Sequence, residues 1–238
     1  MTAALALLLA ASHPGARSAL GAPGDASPAG CLNDHGVFAL SVAGQPVGTE
    51  TFDIRSTADR IEAEAKIDLR VEREGKVLSF KTAPRLVLDS ALQPLTYAWS
   101  QKGSQSSQLE VDFRSSPAKT RYRTVAGEDD RRDFELPKDV LVLDDNVIHH
   151  YQLVVCRYFR TSGGKQTFRV FVPQEALPGL LEVEEAGQEN VEIAGRSQTL
   201  RHLLVSAELA RIDLWVDKEQ RLQRISIPVA QLEAERKR

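Results

Sequence analysis

A mainly β fold is predicted by this sequence: a single curved antiparallel sheet or incomplete β-barrel with one helix packed against it. Three features carry the prediction. In Ile61–Val71 the residues Ile61, Ala63, Ala65, Ile67, Leu69 and Val71 alternate with Glu62, Glu64, Lys66, Asp68 and Arg70. A period of two gives a strand one dry and one wet face, as in antiparallel sheets that cover a single core. From Gly36 onward, short alternating runs follow one another with turn residues between them. The rhythm changes once, at residues 146–159, to apolar spacings of three and four.

The elements follow in order. Phe38, Leu40 and Val42 alternate, Ala43-Gly-Gln-Pro46 turns, and Val47–Ile54 returns as the second arm of a hairpin. After Ile61–Val71 and the polar Glu72–Gly75 break, Val77–Val87 reads as a strand. Leu95, Tyr97 and Trp99 share one face of the next, followed by Leu109–Phe113 and Thr120–Val125. Gly75, Gly103 and Gly127 sit where turns are wanted. Asp144-Asp-Asn146 offers a helix cap, and Val147, Ile148, Tyr151, Val154, Val155, Tyr158 and Phe159 form the stripe of a helix over 146–159. Leu153–Phe159 is also rich in β-formers, so a buried strand competes there. Strands resume at Thr167–Val172, Leu180–Glu185, Val191–Ile193, Thr199–Leu209, Ile212–Val216 and Arg221–Pro228, the last two as a hairpin around Asp217–Gln220. The polar tail from Ala230 fits an edge strand or a short helix. About ten to twelve strands in one sheet must curl, close or split, and a helix on the concave side reconciles both patterns.

At 238 residues with 42% hydrophobic content, the chain suffices for one β domain, placed at 36–238. Thirty Lys and Arg against 33 Asp and Glu leave a net charge of -3, without the concentrated basic surface that nucleic acid requires. Ala3–Ala11 is an apolar run of signal-peptide length, too short to span a bilayer, with small residues at the right offsets for cleavage after Ser12 or Gly21. Only Met1 and Thr2 precede it, so the basic leader segment is missing, and an Ala/Leu-rich tail is the competing reading. Residues 1–22 are read as a signal peptide and 23–35, rich in Pro, Gly, Ala and Ser, as a disordered leader. An extracytoplasmic, bacterial location follows, with no membrane span in the mature chain. Cys31 follows Ser27-Pro-Ala-Gly30, an arrangement like a lipoprotein acylation site except that Pro28 stands where an aliphatic residue belongs. Cys31 and Cys156 could pair in an oxidising compartment, but a free Cys156 buried in Leu153–Phe159 is the plainer reading.

Gly44-Gln-Pro-Val-Gly48 leading into Glu50–Ile54, and the closing run Ile212–Ile225 with its Leu214-Trp215-Val216-Asp217, resemble a bacterial exported family, domain of unknown function 3108. The resemblance covers both ends of the domain and matches the middle weakly. It implies an open barrel with an apolar hollow, of the broad shape of periplasmic lipoprotein carriers. The family carries no agreed catalytic residues, so none transfer, and the helix segment lies outside the resemblance.

Several residues are candidates for chemistry. Asp145 and His149 stand one helical turn apart, as do Asn146 and His150, so Asp145, His149 and His150 could hold a zinc-type ion for a metal-dependent hydrolase, with His35 or His202 as a further ligand. Adjacent His side chains diverge by about a hundred degrees on a helix, which opposes joint ligation. The competing assignment is capping by Asp144 or Asp145 and a helix boundary at the two His. There is no Gly-x-Ser-x-Gly elbow, Cys156 lies in an apolar run, and Ser162-Gly-Gly-Lys165 lacks phosphate-loop spacing. Tyr97 and Trp99 on one strand face, with His150 and Tyr151 on the helix, could line a hollow and bind an apolar or amphipathic, lipid-like ligand. Ordinary core packing explains the same aromatics. Phe171–Gly179, bounded by Pro, reads as a rim, a lid or simply a loop. The expected function is thus non-catalytic binding of a lipid-like ligand or an envelope partner without a cofactor; a metal-dependent hydrolase and a structural envelope protein with a filled core are the alternatives.

Overall fold

The computed structural model describes residues 31–237 apart from 74, 75, 103–105, 162 and 209. The signal-peptide, leader and acylation readings of residues 1–30, and the turns at Gly75 and Gly103, lie outside the described residues. In chain order the strands are β1 (Asp34–Val42), β2 (Gln45–Ser56), β3 (Arg60–Arg73), β4 (Lys76–Thr82), β5 (Arg85–Asp89), β6 (Pro94–Lys102), β7 (Ser107–Asp112), β8 (Ala118–Thr124) and β9 (Asp129–Phe134). Then come β10 (Leu141–Val142), the helix α1 (His149–Phe159), β11 (Gln166–Val172), β12 (Leu177–Ile193), β13 (Arg196–Ala207), β14 (Ala210–Val216), β15 (Leu222–Ile227), a 3-10 turn at Pro228–Ala230 and β16 (Leu232–Lys237).

All sixteen strands belong to one sheet, ordered β10-β11-β12-β13-β14-β15-β16-β1-β2-β3-β4-β6-β7-β8-β9, with β5 pairing β3 and β6. Every pairing is antiparallel except β10 with β11. The polar tail is no edge: β16 pairs both β15 and β1, joining the first and last strands in the middle of the sheet. Where one strand was expected at Val77–Val87, β4 and β5 share a single place between β3 and β6. The break falls at Ala83-Pro84, since Pro84 has no N–H for the ladder, although its carbonyl still accepts from Ala65.

The alternation of β3 is kept. Ile61, Ala63, Ala65 and Ile67 are buried, and the charged residues between them face outward. Facing neighbours extend this dry side through Phe52 and Ile54 of β2, Leu86 and Leu88 of β5, Tyr97 and Trp99 of β6, and Leu109 and Val111 of β7. At Gly48, opposite Leu69, a Cβ would stand 2.0 Å from the Asp68 carbonyl oxygen, so β2 and β3 approach as they do only without a side chain.

β9 and β10 lie at opposite ends of the strand order, yet only residues 135–140 join them. Such a link spans at most roughly 20 Å, so the sheet must curl until its two edges nearly meet. Rings bridge the seam: Phe171 of β11 stands 4.9 Å from Phe134 of β9 and 6.3 Å from Phe113, just past β7. The result is an incomplete ring.

Helix α1 fills the concave side. Nine of its residues, from His149 to Cys156 and Tyr158, are buried, so the expected amphipathic stripe is instead a helix enclosed nearly all round. It begins at His149, not at 146, and Asp144 and Asp145 do not cap it; a carboxylate from β2 does so, as set out below. At its other end Arg157 and Arg160 donate to the carbonyls of Ala91 and Ser90 in the β5–β6 turn. Midway, Gln152 accepts from the Leu222 N–H at 2.6 Å and donates to the Gln220 carbonyl at 2.8 Å.

Cys156 is not free: it forms a disulfide with Cys31, tying α1 to the segment before β1. Cys31, Leu32 and Asp34 are buried, so ordered packing begins ahead of the boundary expected at residue 36. The connection at Phe171–Gly179, read as a rim, a lid or simply a loop, is a short turn, closed by the Ala176 N–H to the Pro173 carbonyl, with the remainder absorbed into β11 and β12. Leu180–Glu185 and Val191–Ile193 are parts of one long strand, interrupted by a bulge between Glu185 and Gly187.

Candidate functional site

The inward face of β2 reads Gly48, Glu50, Phe52, Ile54, and Glu50 is its one acidic member. Fully buried, it accepts the Ile148 N–H on Oε2 and the His149 N–H on Oε1, each at 2.7 Å, and His149 Nδ1 stands 2.8 Å from Oε1. A carboxylate here satisfies two orphan N–H groups and meets the positive end of the helix dipole. Because a carboxylate only accepts, His149 donates through Nδ1, and its Nε2 is left buried without a partner. The His149 ring stacks on Phe52 at 6.1 Å.

Next to it, His150 Nδ1 accepts the Asp144 N–H at 3.2 Å. Burial first, and then His149, push its pKa well down, so the ring is neutral with its proton on Nε2. That atom too is buried and unpartnered. The two imidazoles lie 4.8 Å apart, and Tyr97 meets His150 edge-on at 5.6 Å. Tyr97 donates to Asp144 Oδ2 at 2.5 Å, while Asp144 Oδ1 accepts the Gln174 N–H at 2.9 Å. Burial raises the Asp144 carboxyl to about 6, against the hydrogen bonds from Tyr97 and Gln174. It also holds the Tyr97 hydroxyl well above its ordinary value, helped by the charge on Asp144. Asp145 is pushed up to about 8 by burial, by a hydrogen bond with Glu175 and by Asp144, so at neutral pH it carries the proton it shares with Glu175. Burial likewise raises Tyr151, with Asp145 adding to it.

Tyr97, His149, His150, Tyr151 and Asp145 therefore meet at the N-terminal end of α1, with Trp99 two residues further along the inner face of β6. Tyr97, Trp99, His150 and Tyr151 are each at most 7% exposed, so they are wall and core rather than an open lining. The hydrolase arrangement is not assembled. Among the described residues no group of three or more His, Cys, Asp and Glu side chains is arranged to hold a metal ion. Nor is a further ligand supplied by His202 or His35. His202 alternates with the core residues Leu203 and Val205, so it lies on the outer face, its ring nitrogens 2.8 Å from Glu189 and Asp213 under the stacked Trp215. His35 is exposed on β1.

Past the end of α1 the inner face loses its cover. Glu50, which caps the helix, pairs with Ile67, and Leu69 and Val71 lie two and four residues further along β3, roughly 7 and 13 Å away. Exposure rises along that line, from 2% at Ile67 to 38% at Val71. Leu69 and Val71 pair directly with Phe80 and Leu78 of β4, and Leu78 is 40% exposed. Across the sheet Tyr122, opposite Leu109, is 37% exposed on the same face. This apolar strip continues the core into solvent.

The sequence points to several residues of the cluster but misses Glu50, Gln174 and Glu175. Glu50 had a signal, an acidic residue on the apolar parity of a strand; the other two had none, since a short turn brings them in.

No family model and no curated protein matches the chain. Among solved structures, one of a DUF1089 family protein from Pseudomonas aeruginosa is similar at 14% identity and a TM-score of 0.44, covering 73% of this chain and 86% of that one. No helix among the described residues is long and apolar enough to cross a membrane.

Proposed function

We propose that this chain is an exported, non-catalytic binding protein that takes an apolar or amphipathic, lipid-like ligand on the strip beyond the N-terminal end of α1. The observation that carries the reading is the half-exposed Val71, Leu78 and Tyr122 on the face that elsewhere forms the core. Contact there removes apolar surface from water at about 25 cal/mol per Å², before ordering costs. Tyr97, Trp99, His150 and Tyr151 then support the strip from behind rather than touching the ligand first. Export is supported by the Cys31–Cys156 disulfide, since such bonds persist mainly in oxidising compartments. The apolar run Ala3–Ala11 and the resemblance to the exported family point the same way. Full burial of both His rings argues against hydrolysis, because a water-borne substrate cannot reach them.

Native mass spectrometry of protein purified from a bacterial envelope, paired with displacement of the fluorescent fatty acid cis-parinaric acid, tests the reading. The expected result is an added mass in the lipid range and saturable probe binding that Leu78→Asp weakens about tenfold or more. A mass equal to the chain alone, with probe binding unchanged in Leu78→Asp, would overturn it in favour of a filled-core envelope protein.

A further inference from the structure

At the opposite end of the hollow lies a cleft of roughly 330 Å³ between the N-terminal segment and the β14–β15 turn, small but within the range of ligand sites. Two of its lining residues are carboxylates, and both are already engaged. Asp34, 3% exposed, holds Arg236 through two bonds, Nη1 to Oδ2 at 3.0 Å and Nη2 to Oδ1 at 2.5 Å. Asp217 accepts the Arg221 N–H at 2.9 Å on one oxygen and the Gln223 side-chain amide at 2.7 Å on the other. Arg236 is spent as well, donating further to the carbonyls of Leu222 and His35.

The donors that line the cleft are not spent. Arg221 comes no closer to a carboxylate than 3.8 Å, from Nε to Asp34, and that Nε is shielded from water without a hydrogen-bond partner. Lys237, the exposed last residue of β16, makes no ion pair among the described residues. Asn33 uses its side-chain oxygen to hold the Ser56 N–H, which leaves its NH₂ as a donor, and Gln198 contributes a second amide. One wall is apolar, from Ile193.

We propose that this cleft binds a small organic or inorganic oxyanion, a carboxylate or a phosphate, with Arg221 and Lys237 as its charged contacts. Acceptors consumed from within and donors left over make a site that complements an acceptor-rich ligand. A planar guanidinium receives carboxylate or phosphate through two parallel hydrogen bonds, while Lys237 supplies a mobile point charge. The disulfide gives the site its rigidity, because Cys31 fixes the chain two residues before Asn33. The site is independent of the lipid reading, since Asp34 pairs with Ile54 at the far end of β2 from Gly48, which pairs with Leu69 of the strip.

The test is a titration of the full ¹⁵N-labelled protein with inorganic phosphate and, separately, with succinate, at constant ionic strength set by sodium chloride. Saturable shifts confined to the side-chain amides of Asn33 and Gln198 and the backbone of Arg221 are expected for at least one probe, and the probe that saturates identifies the anion class. Arg221→Gln should weaken that binding about tenfold, the loss of one charge-assisted hydrogen bond. Lys237→Gln, at an exposed position, should weaken it several-fold and gives the same reading if Arg221→Gln fails to fold. Shifts that grow linearly, that chloride reproduces, or that both variants leave unchanged would overturn the proposal.

Discussion

Replacing Glu50 by Gln changes one atom in the middle of the molecule, and the structure sets the cost. Three donors converge on the carboxylate: the N–H groups of Ile148 and His149, and His149 Nδ1. Glutamine keeps one acceptor oxygen and, because a backbone N–H points at each oxygen of the carboxylate, turns its NH₂ toward at least one group that cannot accept. At least one buried N–H then loses its partner, at about 1–3 kcal/mol, and this is also the loss of the helix cap. The charge opposite the helix dipole disappears as well, which adds up to about 2 kcal/mol and brings the total to about 2–5 kcal/mol. For a domain of this size that is a melting-temperature drop of roughly 4–20 °C. The assay is urea unfolding followed by far-ultraviolet circular dichroism, with Glu233→Gln as control. Glu233 pairs with Arg224 at a partly exposed site, where loss should stay below about 1 kcal/mol. A Glu50→Gln loss no larger than the control's would refute the view that this carboxylate holds the helix in the hollow.

Two further outcomes follow from the same structure. The folded chain holds the Asp145 proton up to about pH 8, from an ordinary value of 3.8, so this group's stabilisation is complete at low pH and is lost as pH rises through about 8. His150, whose pKa is pushed down, acts oppositely, losing stability as pH falls below its unfolded value of about 6.5. The carboxyl effect is therefore read between pH 6.5 and 8, as a fall of about 1 kcal/mol per pH unit in urea unfolding that Asp145→Asn flattens; a flat wild-type profile would contradict it. Cys31→Ser opens a loop spanning 125 residues in the unfolded chain, and loop-closure entropy sets an upper estimate of about 5 kcal/mol for its loss. Reduction of the wild type should lower its urea midpoint to that of the variant, and equal midpoints with and without reductant would show that the bond does not constrain the unfolded chain.

How much was legible in the sequence depended on how local the cause was. The parity of β3 was written in its own residues, as was that of β6, which is why Tyr97 and Trp99 share the inner face. β9, Asp-Asp-Arg-Arg-Asp-Phe, was illegible because nearly all of it is exposed at the sheet edge, where neither face imposes an apolar pattern. The two strands read within β12 became one because a bulge lets a strand continue while its alternation slips. In the site, the residue types at the end of α1 were visible but their partners were not. Glu50 caps a helix that begins 98 residues later, and Cys31 reaches Cys156 across 125. Local capping by Asp144 and Asp145 was the sound inference from neighbours alone; a distant carboxylate on the inner wall displaced it.

The ligand is proposed to sit on the strip rather than in the hollow because of what holds α1. A ligand could in principle occupy the hollow by driving the helix out. That would expose Val147, Ile148, Leu153, Val154 and Val155, each buried, at about 1.5–3 kcal/mol apiece. It would also strand Glu50 without partners at about 3–5 kcal/mol and break both bonds of Gln152. A fourteen-carbon chain recovers about 11 kcal/mol if every CH₂ is buried, at about 0.8 kcal/mol each. The exchange is uphill, and the disulfide forbids complete departure of the helix in any case. The proposed binding on the strip at Leu69, Val71, Leu78 and Phe80 would displace nothing. It would extend the core past the helix cap, on the side of Glu50 where the wall is already apolar and half bare.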